Sequence, residues 1–231
     1  MDSGGTAPYT AGPMQNTGSA AFPVYTPGER RADAAVHALG LFAGLGGGVW
    51  LLSSRAGLPA AEWLALGAYL GGLGGMLLAS AAYNTARDGR LKEILRRLDH
   101  AMIYAMIAGS YTPFAVRHMQ RGGGDGTALG AAWSIALLGI VLKLCFPRRF
   151  ERAGTALYLG LGWGVLFLEP GLWPTIPTAS LVLLVAGGLL YTAGTAVHLM
   201  DRVRYHNAVW HGFVLAAAGC HFAAIALDSV P

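Results

Sequence analysis

The sequence predicts an all-α integral membrane protein, a bundle of seven transmembrane helices with the N-terminus in the cytoplasm and the C-terminus outside. Three observations predict it. Of 231 residues, 54% are hydrophobic and only 12% are charged, about half the charged share of roughly 25% in a soluble domain. The charges fall between long stretches that lack Asp, Glu, Lys and Arg altogether. Those stretches show no period-two alternation of the kind a barrel strand needs, and in lipid a single segment pairs its own backbone only as a helix. Disorder requires low hydrophobicity and is excluded. A nucleic-acid partner is excluded too, because the net charge of +4 comes from scattered small clusters and not from a basic face.

The elements follow in order. The first 27 residues are rich in Gly, Pro, Ser and Thr and contain no Lys or Arg. They are read as a disordered tail, residues 1–27, ahead of a membrane domain at 28–231. They lack the basic start and apolar run of a signal peptide, and Asp2 excludes myristoylation. The charge-free stretches are 34–54, 64–86, 100–116, 126–142, 153–168, 170–200 and 205–227. A hydrocarbon core of about 30 Å takes roughly 17–25 helical residues. The stretches 126–142 and 153–168 sit at the lower limit, and Lys143 and Arg152 extend them by snorkelling. Pro170, Pro174 and Pro177 delay the sixth helix to near Thr178. Six spans is the alternative count. The glycine runs GLFAGLGGG (40–48) and LGGLGG (70–75) are read as close-packing surfaces between helices.

Orientation follows from the basic residues. Twelve lie before span 1 or in the connections after spans 2, 4 and 6, including Arg30, Arg31, Arg87, Arg90, Arg148 and Arg204; three, Arg55, Arg117 and Arg121, lie on the other side. The positive-inside rule places the richer side in the cytoplasm of a cell inner, or plasma, membrane. Cys145 and Cys220 are read as packing residues.

Polar residues inside spans mark function. One group, Ser80, Tyr83 and Asn84, ends span 2. A second, Asp99, His100 and Tyr104, begins span 3, where Asp99 is read as standing at the helix N-terminus. A third, His206, Asn207 and His211, begins span 7. In the predicted topology all three lie one or two turns from the cytoplasmic face. Ser80 with Asn84, and Asn207 with His211, are i,i+4 pairs on common helix faces. His37, His198 and His221 are read as packing or hydrogen-bonding residues.

The segments GERRADAAVHALG (28–40), SAAYN (80–84), RRLDHAMIYAMIAGSYTPF (96–114), GGLLYTAG (187–194) and YHNAVWHGFVLAAAGCHFAAI (205–225) resemble the bacterial hemolysin III family, a branch of the progestin and adipoQ receptors. The resemblance spans roughly residues 28–227. It implies seven helices and a zinc site near the cytoplasmic face, with one His from an SxxxH motif in helix 2 and two from HxxxH in helix 7. An Asp at the start of helix 3, here Asp99, would contact a metal-bound water. In this chain the first motif ends in Asn84 and the second begins with Asn207. Only His211 and Asp99 remain of the implied metal set, and a neutral amide oxygen is a poor zinc donor. His206 is i,i+5 from His211, about 140° around the helix. No cofactor is therefore assigned, zinc being implied by resemblance alone. Two Asn, one His, one Ser and one Asp would instead form a metal-free hydrogen-bonded cluster.

Four functions are weighed. The leading one is a lipid-binding or membrane-homeostasis protein with Tyr83, Asn84, His100, His206 and Asn207 lining a polar pocket. The second is a metal-dependent hydrolase of lipid amides, similar to the ceramidases of the wider superfamily, with Asp99 as base and Ser80 stabilising an oxyanion. The third is a cytolysin, and the fourth a transporter. The expected partner is membrane lipid, and self-association is left open.

Overall fold

The protein is described by a computed structural model over residues 22, 23, 25–55, 57–146, 148–200 and 204–228. The tail expected at 1–27 falls mostly on residues 1–21, which lie outside the described residues. Among the described residues there are seven α-helices: α1 (Pro27–Ser53), α2 (Ala60–Thr85), α3 (Arg90–Gln120), α4 (Thr127–Cys145), α5 (Glu151–Leu168), α6 (Thr178–His198) and α7 (His206–Asp228). A single 3-10 turn, Trp173–Thr175, separates α5 from α6. Five of the helices are long and apolar enough to cross a membrane; α3 and α5 are the other two. The protein is a multi-pass membrane protein. Large apolar side chains face outward along α1, where Phe42 is 78% exposed beside Leu39, Leu45 and Val49. A face of that kind needs lipid as its solvent.

Helix α1 starts well before its charge-free stretch because its start is well capped. Thr26 Oγ1 accepts from the Glu29 amide at 3.3 Å, and Glu29 Oε2 accepts from the Thr26 amide at 2.8 Å. Pro27 occupies the first turn, where a missing N–H does no harm. Glu29 Oε1 also accepts from the Tyr205 amide at 3.1 Å, which ties the start of α1 to the approach to α7.

Helix α3 departs most from expectation. It begins at Arg90, so Asp99 stands in its third turn and not at its N-terminus. The cause is the charge spacing of the preceding segment. Glu93 is i,i+3 from Arg96 and i,i+4 from Arg97, with contacts of 3.0 and 3.7 Å, and such pairs support a helix. At 31 residues and 1.5 Å per residue, α3 is about 46 Å long, so its charged first turns extend beyond the apolar layer. There Arg148 Nη2 donates to Glu93 Oε2 at 2.9 Å and Arg96 Nη1 to Glu151 Oε1 at 3.1 Å. This network joins α3 to the α4–α5 connection.

The hydrogen bond from Arg96, with help from Arg148, holds the Glu93 carboxyl down at about 2, against an ordinary 4.5. A lowered folded-state value means the carboxylate stabilises this end fully above about pH 4.5 and loses that effect as pH falls toward 2. The protection of amides in the α4–α5 connection, relative to their intrinsic exchange rates, is expected to fall over that window. In Glu93→Gln that protection is expected to be low already and independent of pH. Identical profiles in the two proteins would refute the assignment.

Helix α3 is also the centre of the bundle, touching α2, α4, α5 and α7, while α1 closes the ring between α2 and α7. The closest approach is between α2 and α3. A Cβ on Gly72 would stand 2.8 Å from the Ala105 carbonyl oxygen, and one on Gly109 would stand 2.9 Å from that of Ala68. Gly72 lies in the second glycine run, so the two backbones meet where small residues were expected. At the far end of the bundle Arg117, near the C-terminus of α3, is buried. It donates to Glu62 Oε2 of α2 at 2.6 Å and to the Asp228 carbonyl of α7, with the Asp228 carboxylate 3.8 Å away.

Candidate functional site

Odd-numbered helices begin, and even-numbered helices end, at the Arg/Lys-rich face. This placement brings polar residues of α1, α2, α3 and α7 to one level. On α1, Asp33 and His37 are i,i+4 and share one buried face. On α7, His211 is buried one turn and a half into the helix. On α2, Ser80 is buried one turn before Asn84.

His211 is the hub. Its Nδ1 lies 2.6 Å from Asp33 Oδ1, and its Nε2 lies 3.5 Å from Ser80 Oγ. An ionised carboxylate has no proton to give, so Nδ1 donates to Asp33, and Nε2 is left facing the Ser80 hydroxyl, which also lies within hydrogen-bond reach of Asp99. The His37 ring packs against His211 with centroids 4.4 Å apart. His37 Nε2 lies 3.3 Å from Asp33 Oδ2, without good hydrogen-bond alignment. Asp99 faces the same group, with His211, Ser80, His37 and Asp33 around it.

The two asparagines sit at the edge of this cluster. Asn84 Nδ2 donates to the Ser80 carbonyl oxygen at 3.0 Å, and Asn207 Nδ2 donates to Asn84 Oδ1 at 3.2 Å. Both are half-buried, whereas Asp33, His37, Ser80 and His211 are buried. The site is a polar cluster, the polar well, with the amide pair on its less buried side. Arg30, Arg31, Arg87, Arg90 and Arg204 are exposed at the same end of the bundle.

Of the residues expected in the site, Ser80, Asn84, Asp99, Asn207 and His211 stand together. His100 and His206 stand elsewhere, and Tyr83 lies between Asp99 and the charged start of α3. Tyr83 presents its ring to Lys92, whose Nζ is 5.8 Å from the centroid. His100 faces Lys143, Arg96 and His198. His206 packs its ring on Tyr25 at 5.8 Å. Asp33 and His37 are the residues sequence reasoning missed. The available signal was an i,i+4 Asp–His pair in a span that starts on the same side as α7.

The zinc ligand set implied by resemblance does not fit these residues. Its helix-2 position and its first helix-7 position are the two amides, which are poor zinc donors, and Asn84 Oδ1 already accepts from Asn207 Nδ2. No step is routed through a metal at those positions.

The chain is similar to known proteins of one family. A sequence model of the family described as Haemolysin-III related matches residues 30–222. The chain is 33% identical over 201 residues to a hemolysin-3 homolog of Bacillus subtilis (strain 168), covering 86% of this chain and 93% of that protein. It is 32% identical over 156 residues to hemolysin-3 of Bacillus cereus, covering 68% and 71%. A more distant match, 28% over 130 residues, is to the human monocyte to macrophage differentiation factor, covering 55% and 52%.

Proposed function

Because the chain belongs to the haemolysin-III-related family, we propose that it binds the head group of a membrane lipid in the polar well and serves membrane homeostasis. The observation that carries this reading is the graded burial of the well. Half-buried Asn84 and Asn207 form its less buried side, and buried Ser80, His211 and Asp33 form its interior. Polar groups of this density inside spans are costly unless they serve a function. The exposed arginines at the same end favour an anionic head group, each basic residue near such a surface contributing about 1 kcal/mol. The reading includes a cytoplasmic N-terminus and an inner-membrane location, supported by the distribution of basic residues.

Native mass spectrometry of the full chain released from bilayers tests it, comparing phosphatidylglycerol with phosphatidylcholine. One retained phosphatidylglycerol per chain is expected, and Asn84→Trp is expected to remove it by filling the less buried side. An adduct that survives Asn84→Trp, or no preference between the lipids, would defeat the reading.

A second reading, hydrolysis of a lipid ester or amide, is favoured by one observation. Ser80 hydroxyl, His211 imidazole and Asp33 carboxylate stand in the order of a nucleophile, its base and the group that orients the base. The same spectra decide it: free fatty acid would accumulate and would stop in Ser80→Ala.

A further inference from the structure

We propose that Asp33, His37 and His211 form a binding site for a divalent transition-metal ion, built between the first and last helices. The proposal rests on reading this end of the bundle as the functional site, and it supplies that site with a cofactor. It also replaces the ligand set that Asn84 and Asn207 rule out.

The donors are two imidazoles and a carboxylate, all buried, and their ligand atoms lie within 4.8 Å of one another. With bonds of about 2.0–2.1 Å, two ligands on one tetrahedral ion stand about 3.3 Å apart. His37 Nε2 and Asp33 Oδ2 are separated by 3.3 Å. Their contact is a buried ion-pair contact without good hydrogen-bond alignment. An imidazole nitrogen without a well-aligned partner loses free energy in such a place. A cation between the two atoms would satisfy both at the spacing they already have.

His211 completes the set after a small rotation. Its Nδ1 now sits 2.6 Å from Asp33 Oδ1, closer than two ligands of one ion, so the ring would exchange that hydrogen bond for a bond to the metal. Charge supports the exchange. Asp33 brings a carboxylate into the span, and a divalent cation with two neutral imidazoles offsets its charge. Asp99, which faces the same group, is placed to hold a water on the metal's open position or to take that position itself. Two imidazoles with carboxylate oxygen suit zinc first and other first-row divalent ions second. A metal on His211 also removes that ring from the relay with Ser80, so its presence argues against the second reading above.

The test uses the full chain, stripped with chelator and reloaded with zinc or cobalt(II). One zinc per chain is expected, together with a visible cobalt band of tetrahedral nitrogen and oxygen ligation. Losing a partner outside the ligand set costs about 10–100-fold in affinity, so His37→Gln and Asp33→Asn are each expected to weaken binding by roughly 100-fold or more. His206→Gln is expected to leave it unchanged. The triple change His37→Gln/Asn84→His/Asn207→His is expected to regain zinc, which separates a lost ligand from a lost fold. Substoichiometric zinc in the loaded wild type, or undiminished zinc in His37→Gln, overturns the proposal. Lipid retention is measured on the same protein. Retained lipid without zinc fails this inference alone, and zinc without retained lipid fails the lipid reading alone.

Discussion

Arg117→Met is expected to produce the largest loss of stability of any single change at the end of the bundle away from the site. The guanidinium joins three helices: α3, which carries it, α2 through Glu62 and α7 through Asp228. Removing one partner of a buried ion pair typically costs about 3–5 kcal/mol, because the remaining charge stays buried without compensation. Here two carboxylates would be left. The measurement is the unfolding midpoint in mixed micelles. Arg117→Met/Glu62→Gln is expected to be more stable than Arg117→Met alone, since it removes one of the stranded charges. A single variant that unfolds with the wild type would show that the latch carries little energy.

Gly109→Leu is expected to come second, and for a different reason. The new side chain would have to enter the Ala68 carbonyl and the Tyr69 Cα, which stand 2.9 and 3.3 Å from the Cβ position. Backbone cannot rotate aside as a side chain can, so α2 and α3 would have to separate. Overpacking costs typically about 1–3 kcal/mol, and more where the neighbour is rigid. Ser80 and Asp99 are carried by these two helices, so the separation also widens the polar well. Both effects are readable: a lowered unfolding midpoint and a weakened lipid adduct. Gly130→Ala, where no atom lies within 4 Å of the added carbon, is the control expected to leave both unchanged.

The fold was legible wherever a span is bounded by charge or proline. Pro170, Pro174 and Pro177 placed the start of α6 near Thr178, and α6 begins there. The reading failed where charge continues a helix instead of ending it. Arg90 to Asp99 looks like a connection by composition, but its i,i+3 and i,i+4 pairs carry helix straight through it. Arg117 has the same lesson at the other end of α3: by composition it is a loop charge, and in the fold it is buried against two carboxylates.

The site was legible in part. Ser80, Asn84, Asp99, Asn207 and His211 could be grouped because motif spacing and depth point the same way. Asp33 and His37 lie within the segment 28–40 but in neither the SxxxH nor the HxxxH pattern. Asp33 also lies just before the charge-free stretch, where an acid reads as an interfacial residue. What a single helix pattern cannot supply is the identity of the neighbour, and α1 meets α7 only because the ring of helices closes.

That closure has a consequence for how the protein is made. Asp33 and its partner His211 are 178 residues apart, the first and last helices to leave the ribosome. At about 5–20 residues per second, synthesis takes on the order of 10–35 s to cover that distance. For that interval Asp33 and His37 wait in the insertion machinery or the bilayer without His211. Delivery of the last helix therefore sets the moment at which the first becomes comfortable in lipid, and a chain truncated before α7 leaves an acid in the membrane that quality-control proteases can find.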